Sequence, residues 1–220
     1  MGLLERITPN RTALVVVDAQ NDFVHPDGKG GLAGRDLKTF PAALAAINRL
    51  IGEARQSGVE CLFVRVEHGP RVDLPPYRAK YEPRGMYETD TLCHEGSWGA
   101  QFIDSLAGPL PDERTFVKHG YDPFSVPDFE ATLKDGGYEN VMVVGFVTNL
   151  CVAATVASAF ERGYFVIVPE DCIAASNGVA ADVTLATIRD FYGEMVDSAE
   201  VINVWQELRA EQDVTDPAPA

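Results

Sequence analysis

The stretch that most constrains the fold runs from Asn140 to Arg162, NVMVVGFVTNLCVAATVASAFER. Val141 to Val144 is an unbroken apolar run of strand length, rich in β-branched residues, and Val152 to Phe160 is small and apolar at helical spacing. Only a few residues separate them, so a buried strand must turn sharply into a helix, and Cys151 sits at that turn. The first amides of a helix lack intrahelical partners and carry the positive end of the dipole, which lowers a thiol pKa and can hold an oxyanion. The same position also suits a small buried core residue, because free cysteine is among the most buried side chains.

The remaining strands and helices alternate around this unit. Thr12 to Val17 is a buried apolar run ending at Asp18, followed by AQNDF and a glycine-rich loop from Gly28 to Gly34. Pro41 to Gln56 carries a helical stripe stopped by Gly58, and Glu60 to Val66 is a second strand ending at Glu67 and His68. Residues 69–95 lack a sustained period and are rich in proline, arginine and tyrosine, which suggests a lid. Trp98 to Leu106 reads as a short helix, Thr115 to Lys118 as a third strand, and Phe129 to Leu133 as helix. Beyond the cysteine unit, Phe165 to Val168 is a strand, a helix spans about Val179 to Tyr192, and a short strand near Met195 to Asp197 precedes a short helix near Trp205.

This alternation predicts a three-layer α/β/α sandwich with a mostly parallel central sheet. A single domain over 1–209 is expected, with an acidic, proline–alanine tail over 210–220 predicted to be disordered. Ligands in such folds bind beyond the carboxyl ends of the strands. Asp18, Lys118 and Cys151 each follow a strand, so all three fall on that edge. Taken singly, Asp18 could equally be a turn residue and Lys118 a solvated charge.

Lysine and arginine number 18 against 33 acidic residues, a formal charge of −15. That excludes the basic footprint needed for nucleic acid or an anionic membrane. No run approaches a membrane span and the N-terminus lacks the apolar core of a signal peptide, which points to a cytoplasmic protein. The four cysteines are widely spaced, so neither a disulfide scaffold nor a zinc finger is expected.

A carboxylate beside a thiol can take its proton, an ammonium stabilises the thiolate, and helix-start amides can hold an oxyanion. Those parts suit covalent hydrolysis of an amide-like carbon, with Asp18 as base and then acid, Lys118 as the electrostatic partner and Cys151 as nucleophile.

VVVDAQNDF with Asp18, FVKHGYDPF with Lys118 and GFVTNLCV with Cys151 together resemble the isochorismatase-like cysteine hydrolases, over about Thr12 to Val201. The resemblance implies a non-proline cis peptide at Phe146–Val147 and an oxyanion hole from the amides of Val147 and Cys151. A cysteine at 151 speaks for amide hydrolysis over vinyl-ether cleavage. The nicotinamidase branch carries an Asp-x-His metal pair after the second strand. Here the matching place reads Val66-Glu67-His68, too few ligands for a metal, and the following loop looks more like the ureido and biuret branch.

The resemblance therefore implies a metal-independent amidohydrolase acting on a small ureido, carbamoyl or carboxamide compound, with no cofactor and a thioester intermediate that releases ammonia. Two other readings stay open: metal-assisted nicotinamide hydrolysis, and an inactive member that binds a small ligand or partner. Phe23, Gln20, His68, Arg71, Tyr77, Trp98, Gln101, Tyr121, Phe124 and Asn149 are the candidates for substrate contact. Gln20 and Asn149 could instead only orient the site. Related enzymes cover their sites with a neighbour's residues, so a homo-oligomer, dimer or tetramer, is expected.

Overall fold

The computed structural model describes residues 6–82 and 91–215. Seven parallel strands form the central sheet: β1 (Thr12–Val17), β2 (Glu60–Val66), β3 (Thr115–Lys118), β4 (Asn140–Phe146), β5 (Phe165–Pro169), β6 (Ile173–Ala174) and β7 (Gly193–Val196). The spatial order is β3-β2-β1-β4-β5-β7, with the two-residue β6 paired to the end of β4. β1 is buried along its whole length and lies between β2 and β4, Val17 pairing with Val64 on one side and Gly145 on the other. The chain first builds outward from β1 through β2 and β3, then returns to add β4 on β1's other side. The strand order thus reverses between β1 and β4, and sheets of this kind bind their ligands in a crevice beyond the carboxyl ends at such a switch point.

Eight helices accompany the sheet in the described residues: α1 (Asn21–Val24), α2 (Lys29–Leu32), α3 (Phe40–Gln56), α4 (Pro75–Tyr81), α5 (Pro127–Asp135), α6 (Ala153–Glu161), α7 (Gly178–Thr187) and α8 (Ser198–Thr215). Alternate strand residues face opposite layers. Leu14, Val16, Phe63, Met142 and Val144 pack with Leu44, Ile47, Leu50 and Ile51 of α3 and with Trp205 of α8. Ala13, Val15, Val17, Leu62, Val64, Val141 and Val143 pack with Phe129 and Leu133 of α5 and Val156 and Ala159 of α6. Each fully buried valine, leucine or isoleucine contributes about 1.5–3 kcal/mol, so both faces of the sheet are firmly covered. This is the expected α/β/α sandwich.

Glu53 of α3 is buried and accepts hydrogen bonds from Ser57 Oγ (3.1 Å), Gln206 Nε2 (2.9 Å) and Arg209 Nη1 (2.5 Å), which ties α3 to α8. α7 differs from the other long helices. None of its residues is buried, and Val179, Val183 and the nearby Phe191 are exposed.

Several local expectations are corrected. The glycine-rich loop contains α2, with α1 just before it, starting in AQNDF, and the supposed lid contains α4, while residues 83–90 of that segment lie outside the described residues. Trp98–Leu106 is not a helix. Only Trp98–Ala100 is helical, a single 3-10 turn, after which Phe102 pairs antiparallel with Gln20. The helix near Trp205 runs to Thr215, so residues 210–215 are helical rather than disordered, and 216–220 lie outside the described residues. Among the described residues no helix is long and apolar enough to cross a membrane.

Candidate active site

Three strand ends converge at the crevice. Lys118, the last residue of β3, is fully buried, and its ammonium donates to Asp18 Oδ2 (2.7 Å), Gly120 O (3.1 Å) and Cys151 Sγ (3.3 Å). A lysine has three N–H donors, and all three are engaged. Asp18 is also fully buried and sits just past β1 at φ 50°, a left-handed conformation that aspartate tolerates better than most side chains. Its amide still donates to Val64 O (2.9 Å), while the Gln20 amide folds back onto Asp18 O (2.7 Å). Strained backbone of this kind gathers at functional sites.

The turn after β4 carries the cysteine. Gly145 adopts φ 120°, and a Cβ there would stand 2.0 Å from Val17 O, so only glycine lets β4 lie this close to the end of β1. The Phe146–Val147 peptide is cis, as the resemblance implied. Thr148–Val152 forms a π-helical turn leading into α6, and Cys151 lies within it, nearly buried. Among the described residues the Val147 amide donates to no backbone carbonyl.

The electrostatics differ from the sequence expectation in one respect. Burial, reinforced by the Asp18 carboxylate, pushes the Cys151 thiol far above its ordinary value, and Lys118 opposes this only in part. Burial raises the Asp18 carboxyl as well, against the opposing effects of Lys118 and the thiol. Burial pulls the Lys118 ammonium down, yet Asp18 and Cys151 outweigh it and hold the group above its usual range. Asp18 Oδ1 has no hydrogen-bond partner within normal limits, which leaves it open to the thiol with which the carboxylate interacts.

The other candidates divide. His68 is buried at the end of β2, within electrostatic reach of Lys118 and Asp18. Asn149 is half-buried in the cysteine turn. Phe23 packs against the cluster of Val66, Cys93 and Ala100. Trp98 is exposed at 45% and meets His25 edge-on, Gln101 and Tyr121 are exposed, and Arg71 is exposed in the turn following His68.

Two candidates are corrected. Gln20 does not present its amide to a ligand: Nε2 donates to Val66 O (2.8 Å) and Ala100 O (2.7 Å), and Oε1 accepts from Val66 N (2.8 Å). Phe124 is packed in the core, edge-on to Phe129 at 5.0 Å and beneath the Arg162 guanidinium at 4.5 Å. Glu67 and His68 diverge rather than forming a ligand pair. Glu67 bonds to Arg65 (2.9 Å), and His68 Nδ1 lies 2.6 Å from Asp73 Oδ1. Among the described residues no three metal-ligating side chains come together.

Asp22 and Asp73 are important positions that the sequence reading overlooks. Asp22 is buried, accepts from the amides of Lys29 (2.9 Å) and Cys93 (2.6 Å), and so holds the 91–100 segment over α1. Gly99 makes room for it, since a Cβ there would lie 2.2 Å from the carboxylate. The available signal was an aspartate directly before the apolar pair Phe23 and Val24, with an unexplained glycine at 99.

Residues 12–200 match the family described as Isochorismatase domain. A ureidoacrylate amidohydrolase, RutB, from Pseudomonas syringae pv. syringae is 30% identical over 86% of this chain and 81% of its own. Among solved structures, a cysteine hydrolase from Pseudomonas syringae pv. phaseolicola superposes with a TM-score of 0.80 at 26% identity, over 92% of this chain and 95% of the other. N-carbamoylsarcosine amidase from Thermoplasma acidophilum does so with a TM-score of 0.67 at 26% identity, over 86% and 96%. With the domain matched across nearly the whole sheet and relatives that span most of both chains, this protein belongs to the isochorismatase family of hydrolases.

Proposed function

We propose that the protein is a metal-independent cysteine amidohydrolase that cleaves a C–N bond of a small ureido, carbamoyl or carboxamide compound. One observation carries the reading: Lys118 Nζ bridges Asp18 (2.7 Å) and Cys151 Sγ (3.3 Å) in a buried crevice at the sheet's switch point. The names of the relatives, ureidoacrylate amidohydrolase and N-carbamoylsarcosine amidase, support the substrate class.

In the resting site the carboxylate and ammonium cancel, and the thiol is neutral. Proton transfer from Cys151 to Asp18 Oδ1 creates a thiolate beside Lys118 and a neutral carboxyl, so the net charge stays at zero. That matters in a buried site, where an uncompensated charge is costly. Asp18 thus acts as a general base while substrate is bound, and the raised thiol pKa is compatible with catalysis.

The sulfur attacks the carbonyl carbon, and the amides of Val147 and Cys151 receive the oxyanion. The C–N bond breaks as Asp18 returns the proton to the departing amine. Water, losing its proton to Asp18, then attacks the S-acyl carbon and frees the thiol. For a primary amide or terminal ureido nitrogen the released amine is ammonia.

The test is ammonia release from a panel of ureidoacrylate, biuret, N-carbamoyl amino acids, maleamate and nicotinamide. Turnover should disappear in Cys151→Ala and Asp18→Ala and persist in the presence of a chelator. Activity surviving Cys151→Ala overturns the reading, and loss to chelator favours metal-assisted hydrolysis. The expected homo-oligomer belongs to the same proposal, supported by the exposed Val179, Val183 and Phe191 beside α7. A monomeric mass in solution by light scattering would refute it.

A further inference from the structure

His68 is a buried titratable group beside the triad that the mechanism above does not use. Its backbone is fixed from both sides, the amide donating to Cys93 O (3.0 Å) and the carbonyl accepting from Glu95 N (2.8 Å). Its ring is fixed as well. Nδ1 lies 2.6 Å from Asp73 Oδ1, Asp73 Oδ2 accepts from Gly69 N (3.1 Å), and Tyr77 stacks on the imidazole at 4.1 Å and 6°. Nε2 has no hydrogen-bond partner among the described residues.

Burial pushes the imidazole below its ordinary value. Asp73 opposes this, Lys118 adds to the lowering, and Asp18 weakly opposes it. A neutral ring that donates its Nδ1–H to a carboxylate keeps its lone pair on Nε2, and the carboxylate makes that lone pair more basic. The free nitrogen is therefore an acceptor. Val66 is the register partner of Lys118, and His68 lies two residues past it, within electrostatic reach of Lys118 and Asp18.

A carboxamide or ureido group brings N–H donors into this crevice. The triad offers them a single open acceptor, Asp18 Oδ1, whereas a carboxamide NH2 carries two N–H donors. A buried donor left unpaired costs about 1–3 kcal/mol.

We propose that His68, oriented by Asp73, accepts a hydrogen bond through Nε2 from an N–H of the bound carboxamide or ureido group, so that the pair selects amides over the corresponding esters. This deepens the amidohydrolase reading and rests on it. His68 touches the substrate, and Asp73 is a positioning residue that fixes the tautomer.

The probes are iodoacetamide and methyl iodoacetate, which alkylate thiols alike but differ in carrying CONH2 or CO2CH3. Labelling of Cys151 in the full chain is followed by intact mass and peptide mapping, with glutathione giving the intrinsic rate ratio. The wild type should favour iodoacetamide beyond the glutathione ratio. His68→Ala should cut that preference about ten-fold, the loss of one hydrogen bond. His68→Gln, which retains an acceptor oxygen, should keep part of it, and Asp73→Asn should lower it.

A residue that only supports the fold would change both rates together. An unchanged ratio in His68→Ala, or a wild-type ratio equal to that of glutathione, overturns the proposal. If neither reagent labels Cys151 and no amide releases ammonia, the nucleophile assignment itself has failed and this inference falls with it. Ammonia release combined with an unchanged ratio refutes the His68 role alone.

Discussion

Replacing Lys118 by methionine removes the ammonium while keeping most of the side-chain volume, so it isolates the charge. At 2.7 Å the gross attraction to Asp18 is about 6 kcal/mol at an effective dielectric of about 20. Breaking a buried pair costs about 3–5 kcal/mol if the orphaned charge persists. Asp18 can limit that cost by taking up a proton, since burial already raises its carboxyl pKa and the methionine withdraws the opposing ammonium.

The sign then follows. A carboxyl whose folded pKa is raised binds more protons in the native state, so stability falls as pH rises through the window between the unfolded and folded values, by about 1.4 kcal/mol per pH unit. Lys118→Met extends that window upward. Urea midpoints between pH 5 and 8 should fall more steeply for the variant than for the wild type. The double variant Asp18→Asn, Lys118→Met should recover stability and lose the slope. A neutral Asp18 cannot accept the thiol proton, so turnover at pH 7 should drop by about 10²–10⁴-fold. Equal pH slopes in the single variant and the wild type would refute this account of the coupling.

Gly145→Ala places a methyl 2.0 Å from Val17 O at a left-handed φ and should cost at least about 2 kcal/mol in thermal denaturation, with activity lost through the neighbouring Asp18. Burial alone would raise the Glu53 carboxyl, but Gln206, Ser57 and Arg209 outweigh it and hold the group below its ordinary range. Its contribution is present above the unfolded value of about 4.5 and is lost as pH falls through the folded value, so urea midpoints of Glu53→Gln should change less between pH 5 and 3 than those of the wild type. Asp22→Asn replaces an oxygen that accepts from an amide by a donor. It should cost about 1.5–3 kcal/mol and quicken proteolysis of the 91–100 segment, read by digestion time courses.

β1 and β4 were legible because both faces of each are buried, so their centres read as apolar runs whatever their neighbours, and β2 does the same over Cys61–Val64. Strand ends in such a sheet share one edge, which brought Asp18, Lys118 and Cys151 together before any contact was known. What failed depends on partners distant in the chain. WGAQFIDSL has helical spacing, but Phe102 pairs with Gln20, far away in sequence, and the segment extends. Phe124 follows β3 closely, yet Phe129 and Arg162 draw it into the core. Dipole and ammonium effects on the thiol are visible from position, whereas the burial that raises its pKa is not. α8 was read short because few of its residues, chiefly Ser198, Val201 and Trp205, are buried, and the polar remainder gave no stripe.

The side chain of Gln20 grips the peptide groups of both Val66 and Ala100, two residues along the backbone from Asp18. Lifting the 98–101 strip would strand a desolvated amide and tug on the backbone that seats Asp18. Gln20 is therefore a fixed clasp, locking that strip to the end of β2 and so to the segment that carries Asp18.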